Sequence, residues 1–336
     1  MNENKRKKSF FAVIVILSAS ILNNSCERLF KDNLPTVFTT GVINLQPSSV
    51  SFNGKITSTG GSGLSEQGFC WSTGHLPVIT DNKIRAGFRC RCPYSLTAAG
   101  LNPQTDYYVR AYATNDIGTA YGEELPFTTP ADHSGETGTV EDADGNVYQT
   151  IGIGSQVWMA ENLKATRYSN GDPIGTTTPA TLDISNDFTH IYQWAYGGDE
   201  GNVATYGRLY TWDAATDTRN VCPAGWHVFS DEDWSTLIVY LSSADTAGGK
   251  LKETGTTHWQ SPNTGATNET GFSALPGGGR DGNGRFFSIG SGGFWWSSSG
   301  SPTELVSYRA MNYDYSNVFI YNIEKHYGFS VRCLRD

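Results

Sequence analysis

From Thr36 to Thr128 apolar and polar positions alternate with a period of two, which predicts short, half-buried strands. The run Leu101-x-Pro103-x-Thr105-x-Tyr107-x-Val109-x-Ala111 is the clearest case, and Tyr107 stands where a tyrosine ties a strand back onto the preceding loop. Turn signals punctuate the pattern at Asn53-Gly54, Gly60-Gly61, Asn102-Pro103 and Asn115-Asp116-Ile117-Gly118. Near the end of the chain Phe329, Val331 and Cys333 fall on one face of another alternating segment. A helical period occurs at Trp234, Leu237, Ile238 and Leu241. Ser230, with Asp233 three positions on, caps its start, and the pattern predicts that it stops before Gly248-Gly249. Cys222, on the approach to this helix, has Cys333 as the other cysteine of this half, so a Cys222–Cys333 disulfide is expected between helix approach and last strand.

Composition sharpens this picture. With 38 glycines, 12% aromatic and 17% charged residues, the chain has little charge for long exposed helices, so strands and loops are favoured. Eight of the nine tryptophans lie after residue 150, so the two halves are built differently. The 336 residues allow more than one domain. The net charge is −9, but four of the 24 basic and one of the 33 acidic residues lie in the first 26. The remainder therefore carries 20 basic against 32 acidic residues, a net −12, with no basic stripe interleaved with aromatics. A nucleic-acid partner is excluded on these grounds.

Lys5-Arg6-Lys7-Lys8 followed by the short apolar run Ser9–Leu22 has the form of a secretory leader and is too short for a comfortable membrane span. It ends at Leu22-Asn-Asn-Ser-Cys26, which resembles a bacterial lipoprotein signal with Cys26 as the acylated first mature residue. The match departs in placing Leu22 four before the cysteine. It implies a membrane-anchored outer-membrane lipoprotein at the cell surface, with the periplasmic face as the alternative. Residues 1–26 are then leader and 27–35 a tether.

Residues 36–130 resemble the fibronectin type III-like modules of bacterial surface proteins, through Gly68-Phe-Cys-Trp-Ser72 and Tyr107-Tyr-Val-Arg-Ala-Tyr-Ala-Thr-Asn115. Arg89-Cys-Arg-Cys92 departs from that likeness. Cys70, Cys90 and Cys92 cannot all pair internally; Cys70–Cys90 and Cys70–Cys92 both stay open, as does a two-ligand metal reading of Cys90-x-Cys92. Residues 131–139 read as a linker. Asp142-Ala-Asp144-Gly145-Asn146 has the start of a calcium loop, but Ile153 holds the closing position and strands flank it, so a hairpin turn on Asp-Gly is expected.

From residue 140 to 336 the order of motifs is similar to the Fibrobacter succinogenes major paralogous domain. They are Asp144-Gly-Asn-Val-Tyr148, Gln156-Val-Trp-Met-Ala-Glu-Asn-Leu163, Tyr206-Gly-Arg-Leu-Tyr-Thr-Trp-Asp-Ala-Ala215 and Cys222-Pro-Ala-Gly-Trp-His227. Gly271-Phe-Ser-Ala-Leu275, Phe294-Trp-Trp-Ser-Ser298 and Tyr327-Gly-Phe-Ser-Val-Arg-Cys-Leu-Arg335 complete the series, with Phe229 standing where the family has proline. The pattern resembles C-type-lectin-like folds, which bring chain ends together. The expected fold class is thus β-rich and two-domain: an immunoglobulin-like, fibronectin type III β-sandwich, then an α+β, loop-rich, C-type-lectin-like domain.

No nucleophile elbow, His-Glu-x-x-His or Walker loop is present. Gly277-Gly-Gly279-Arg-Asp-Gly282 fits Gly-x-Gly-x-x-Gly, but no helix pattern follows, so a flexible surface loop is expected. The six histidines lack ligand spacing, His227 reads as a packed turn residue, and Trp295-Trp296 read as core. No enzyme activity, cofactor or metal is expected. Tyrosine, asparagine, aspartate and serine crowd the stretch 307–326, a composition suited to recognition. Tyr313, Asp314, Tyr315, Asn317, Tyr321 and Asn322 are the expected ligand-binding residues, with Tyr313 and Tyr315 sharing strand parity. The expected function is binding or adhesion to a glycan or protein. A structural part of an envelope assembly, or an enzyme acting on a surface polymer, are the alternatives.

Overall fold

The computed structural model describes residues 32–87, 91–187, 191–300 and 305–336. Cys26, the leader, most of the tether, and Cys90 lie outside the described residues. Among the described residues strands make up 39% and helices 11%, in several antiparallel sheets and no barrel, so the chain is β-rich as its period-two pattern requires. Two compact units form: one from residues up to Gly41, Asn53–Leu96 and Tyr108–Leu125, the other from Val42–Phe52, Thr97–Tyr107 and Pro126–Asp336.

Before residue 130 one sheet has the order Thr36–Ile43, Ser49–Ser58, Pro93–Ala99. Another runs Asn82–Arg85, Glu66–Ser72, Asp106–Thr114, Thr119–Tyr121, with Leu125–Thr128 also pairing Asp106–Thr114. The Tyr107 hydroxyl accepts the Asn102 amide at 3.1 Å, the expected tie to the preceding loop. Asn115 closes the next hairpin, its amide on the Gly118 carbonyl at 3.0 Å. Asn53-Gly54, however, is no turn and lies inside the strand Ser49–Ser58. A Cβ at Gly54 would come within 2.9 Å of the Phe69 ring, so glycine is there for close approach. Cys70 is buried with a free thiol, its Sγ 3.3 Å from the Pro77 carbonyl. Cys92 is disulfide-bonded. Pairing of Cys70 with either neighbour is therefore overturned.

After residue 130 a five-stranded sheet has the order Trp226–Val228, Cys333–Arg335, Gln156–Met159, Val147–Ile153, Thr137–Glu141. The last strand starts at Thr137, and the His133 and Gly135 amides bond the Gly154 and Gly152 carbonyls, so the sheet takes in part of 131–139. Asp142 anchors the intervening hairpin, accepting the Asp144 and Asn146 amides at 3.0 and 2.9 Å and the Tyr148 hydroxyl at 2.5 Å. Its carboxylate is spent on the turn.

The central strands of this sheet, Gln156–Met159 and Cys333–Arg335, are buried on both faces, which explains the unbroken apolar run Val157–Met159. Val157, Met159 and Cys333 join Trp296, Phe329 and Val331 in one core, whereas Trp158 and Leu334 join Trp234, Trp259, Phe272 and Trp295 in another. Adjacent Trp295 and Trp296 thus point into different cores, as strand alternation demands. Cys222 and Cys333 are bonded, with Cα atoms 5.9 Å apart.

The helix Asp231–Leu241 starts at Ser230 with the expected capping box and buries Trp234, Leu237 and Leu241. It stops at Ser242, and a second helix, Ala244–Leu251, holds Gly248-Gly249 inside it. Those glycines do not end a helix. A Cβ at Gly248 would lie 2.4 Å from the Asn317 carbonyl, and one at Gly249 would lie 2.3 Å from that of Gly265. Nor is Gly277–Arg280 a surface loop: it is a fully buried strand. A Cβ at Gly279 would meet the rings of Phe287 and Phe329 at 2.7 and 2.8 Å.

Candidate ligand-binding surface

The strand Gly277–Arg280 belongs to a second five-stranded sheet, in the order Phe286–Ile289, Gly277–Arg280, Gly292–Trp296, Leu305–Asn312, Phe319–Glu324. Its last two strands form an antiparallel hairpin in which Tyr308 faces Tyr321, Ala310 faces Phe319 and Ser307 faces Asn322. Alternation sends Tyr308, Phe319 and Tyr321 to one face, and Arg309, Ile320 and Asn322 to the other. The second face packs towards the helix Asp231–Leu241, where buried Arg309 donates to Asp231 at 2.7 Å.

The first face carries a row of rings running from core to solvent. Trp296 meets Phe329 at 4.6 Å between centroids, Phe329 meets Tyr308 at 4.7 Å, and Tyr308 meets Tyr321 at 5.8 Å. Tyr321 stacks on Phe319 at 5.9 Å, and Phe319 meets Tyr315 edge-on at 5.5 Å. Tyr315 and Tyr321 are about half exposed, at 51% and 48%. Burial raises the Tyr308 and Tyr327 hydroxyls above the usual tyrosine value, so both stay protonated. Such a row offers flat apolar faces with hydroxyl rims.

The turn that presents Tyr315 is fastened from beneath. Lys252, fully buried, donates to the carbonyls of Tyr315, Asn312 and Thr264 at 2.8, 3.0 and 3.1 Å. Ser316 Oγ donates to the Asp245 carbonyl at 2.9 Å, and the Gly249 amide donates to the Ser316 carbonyl at 2.9 Å. The helix Ala244–Leu251 is the platform for this turn, which is why it needs a glycine at 248, while Gly249 makes room for the Gly265 backbone.

Of the six expected residues, Tyr315 and Tyr321 stand in the row and Asp314 is exposed beside Tyr315. Tyr313 does not share their face. The strand ends at Asn312, so strand parity fails there, and Tyr313 is half-buried against the core that holds Trp234. Asn317 is committed to Asp245 through a 3.1 Å hydrogen bond, and Asn322 sits on the face opposite Tyr321. Tyr308 and Phe319 were missed. Their two-residue spacing from Ala310 and Tyr321 was the available signal, but only the register brings the strands together.

Other candidate chemistry is sparse. Among the described residues no group of three metal-ligating side chains occurs. His227 lies on a strand, not in a turn, between Asp336 at 2.7 Å and Asp233 at 3.3 Å. Hydrogen bonding to Asp233 and then Asp336 outweighs burial and raises its pKa. A hollow of about 640 Å³ beside Ile151, Tyr240 and Gly271 holds one carboxylate, Glu269, paired with Lys250 at 3.0 Å.

The sequence model of the Fibrobacter succinogenes major domain matches residues 151–335, more than half of the chain. The chain belongs to this family. No curated protein matches it. Among solved structures, the sensor domain of the anti-sigma factor RsgI4 in Pseudobacteroides cellulosolvens is similar over 29% of this chain and 95% of that one. At 18% identity and a TM-score of 0.22, that likeness bears on neither fold nor function.

Within the Fibrobacter succinogenes major domain the sequence motifs converge on Asn162. Its Oδ1 accepts from Trp295 Nε1 at 2.8 Å and Arg332 Nη2 at 2.9 Å, and its Nδ2 donates to the Tyr206 carbonyl at 2.9 Å. Arg332, fully buried, also donates to the Phe272 carbonyl and stacks 4.1 Å over the Phe272 ring. Gly207 (φ 73°) passes so close that a Cβ would lie 2.7 Å from the Asn162 Cβ. Five separate motifs therefore build a buried scaffold, and the ring row lies outside most of them.

Proposed function

We propose that this chain is a lipid-anchored protein of the outer membrane surface whose C-terminal domain binds a glycan through the row Tyr308, Tyr321, Phe319 and Tyr315. The row is the observation that carries this reading. Adjacent, partly exposed rings on a strand face and its flanking turn can stack on sugar rings, while tyrosine hydroxyls supply hydrogen bonds. A turn clamped by Lys252 and the helix Ala244–Leu251 limits the ordering cost of binding. Asp314 and Tyr315 at the rim are the adaptable polar contacts.

The leader and Cys26 support export and anchoring, and the Cys222–Cys333 disulfide fits an oxidising compartment. The sheets before residue 130, with the Tyr107–Asn102 tie, support a fibronectin type III-like spacer. The capped helix, the doubly buried central strands and the terminal disulfide support a C-type-lectin-like fold for residues 140–336.

Two experiments test the reading. Cys26 should carry acyl chains by mass spectrometry, and protease should cut the C-terminal domain from intact cells; a protected or unacylated protein refutes surface anchoring. On a glycan array, Tyr315→Ala with Tyr321→Ala should lose the binding that the wild type shows. Retained binding, or no bound glycan for the wild type, refutes the ring row as a glycan site.

A further inference from the structure

The strand Phe319–Glu324 is the last in its sheet. All six residues pair inward, from Ala310↔Phe319 to Leu305↔Glu324 without interruption, so no bulge bends the strand away. On the outer side, no backbone group from Phe319 to Ile323 has a partner among the described residues. Open edges usually carry lysine, proline or a covering element that prevents pairing with other chains. This strand reads Phe-Ile-Tyr-Asn-Ile-Glu, with one charge at its end and no lysine or proline. Four of its six side chains are apolar or aromatic, and of these Ile320 and Tyr321 are open to solvent, at 63% and 48% exposed.

We infer that Phe319–Glu324 is an assembly edge, pairing antiparallel with the same strand of a second copy of this chain. The strand matches itself. A twofold axis perpendicular to the sheet keeps the ring face on one side, which requires residues of like parity to oppose each other. With Tyr321 opposite Tyr321 of the second copy, Phe319 meets Ile323, and Ile320 meets Asn322. The tyrosine contact repeats the one already made one strand inward, where Tyr308 and Tyr321 lie 5.8 Å apart. The antiparallel arrangement puts the two Glu324 carboxylates at opposite ends of the joint, so no like charges face each other. Pairing uses the edge and leaves both faces free, so two ring rows join into one. The inference does not rest on the glycan reading, since pairing needs no ligand.

Sedimentation velocity of the full-length protein in detergent micelles tests it. A reversible dimer is expected, tightening as added salt screens the negative chains. Ile320→Lys, at a position 63% exposed, should weaken the dimer by at least about tenfold, by placing lysine at the edge. Tyr321→Cys, directly opposite its copy, should form an intermolecular disulfide on mild oxidation, whereas Tyr240→Cys, on the helix Asp231–Leu241, should not. A protein that stays monomeric overturns the inference, as does a dimer indifferent to Ile320→Lys. Equal cross-linking at both cysteines also overturns it.

Discussion

Replacing Lys252 by methionine probes the turn that holds Tyr315. Lys252 is fully buried, and its ammonium has three N–H groups. All three are used on the carbonyls of Tyr315, Asn312 and Thr264, with the Trp259 ring centroid 5.3 Å away. Burial pushes its pKa down from 10.5 to about 8, against a smaller opposing pull from Asp314. Methionine fills similar space and donates nothing. Three carbonyls left unpaired at roughly 2 kcal/mol each come to roughly 6 kcal/mol. Removing a desolvated cation returns about 3 kcal/mol, the value of holding the pKa near 8 at about 1.4 kcal/mol per pH unit. The net expectation for Lys252→Met is a loss of about 3 kcal/mol at neutral pH.

The pH dependence has a fixed sign. Between about 8 and 10.5 the unfolded lysine holds its proton and the folded one does not. The unfolded state then binds more protons, so wild-type stability rises with pH across that window. Lys252→Met lacks this rise. Urea unfolding of both proteins should show the gap between them widening from pH 8 towards 10.5, by up to about 3 kcal/mol. Amide exchange at residues 312–316 should quicken in the variant. A variant as stable as wild type at neutral pH, or a gap that stays constant with pH, refutes the reasoning.

Gly248→Ala should destabilise although alanine is the better helix former by about 1 kcal/mol, because its Cβ would meet the Asn317 carbonyl. A raised Tm in a thermal melt refutes this. Replacing Cys222 and Cys333 by serine opens a loop between residues 111 apart and should cost about 4–5 kcal/mol, read by urea unfolding; a change under about 1 kcal/mol refutes the entropic account. His227 gains from Asp233 and Asp336 while protonated, so its contribution is full below its unfolded pKa of 6.5 and fades as pH rises through its raised folded value. Because the ring is 41% exposed, His227→Asn should cost under about 1 kcal/mol at pH 5 and nothing at pH 9. A loss that grows with pH contradicts the sign.

Local rules already written in the sequence determined many of the strands and the capped helix, and the count of cysteines after residue 130 left Cys333 as the partner of Cys222. Ser230 and Asp233 bond each other across three residues, and Trp234, Leu237 and Leu241 follow one helical face, so neighbours in sequence suffice to predict them. Phe329, Val331 and Cys333 share a core because alternation alone puts them on one side. Trp295 and Trp296 were legible as core for the same reason. Glycines were not, because a glycine signals a turn or a close approach with the same letter. Gly54, Gly248 and Gly279 are each explained by an atom far away in the chain: the Phe69 ring, the Asn317 carbonyl and the Phe329 ring. The binding surface divided along the same line. Its tyrosine-rich composition showed in the sequence, whereas the register Tyr308↔Tyr321 selected which rings line up. The end of the strand at Asn312 took Tyr313 out of that row, and Lys252 fixed the turn by bonding carbonyls as far as 63 residues away. Sequence patterns report on neighbours within a turn or a strand; only tertiary structure chooses which distant backbone comes close enough to need a glycine or a buried cation.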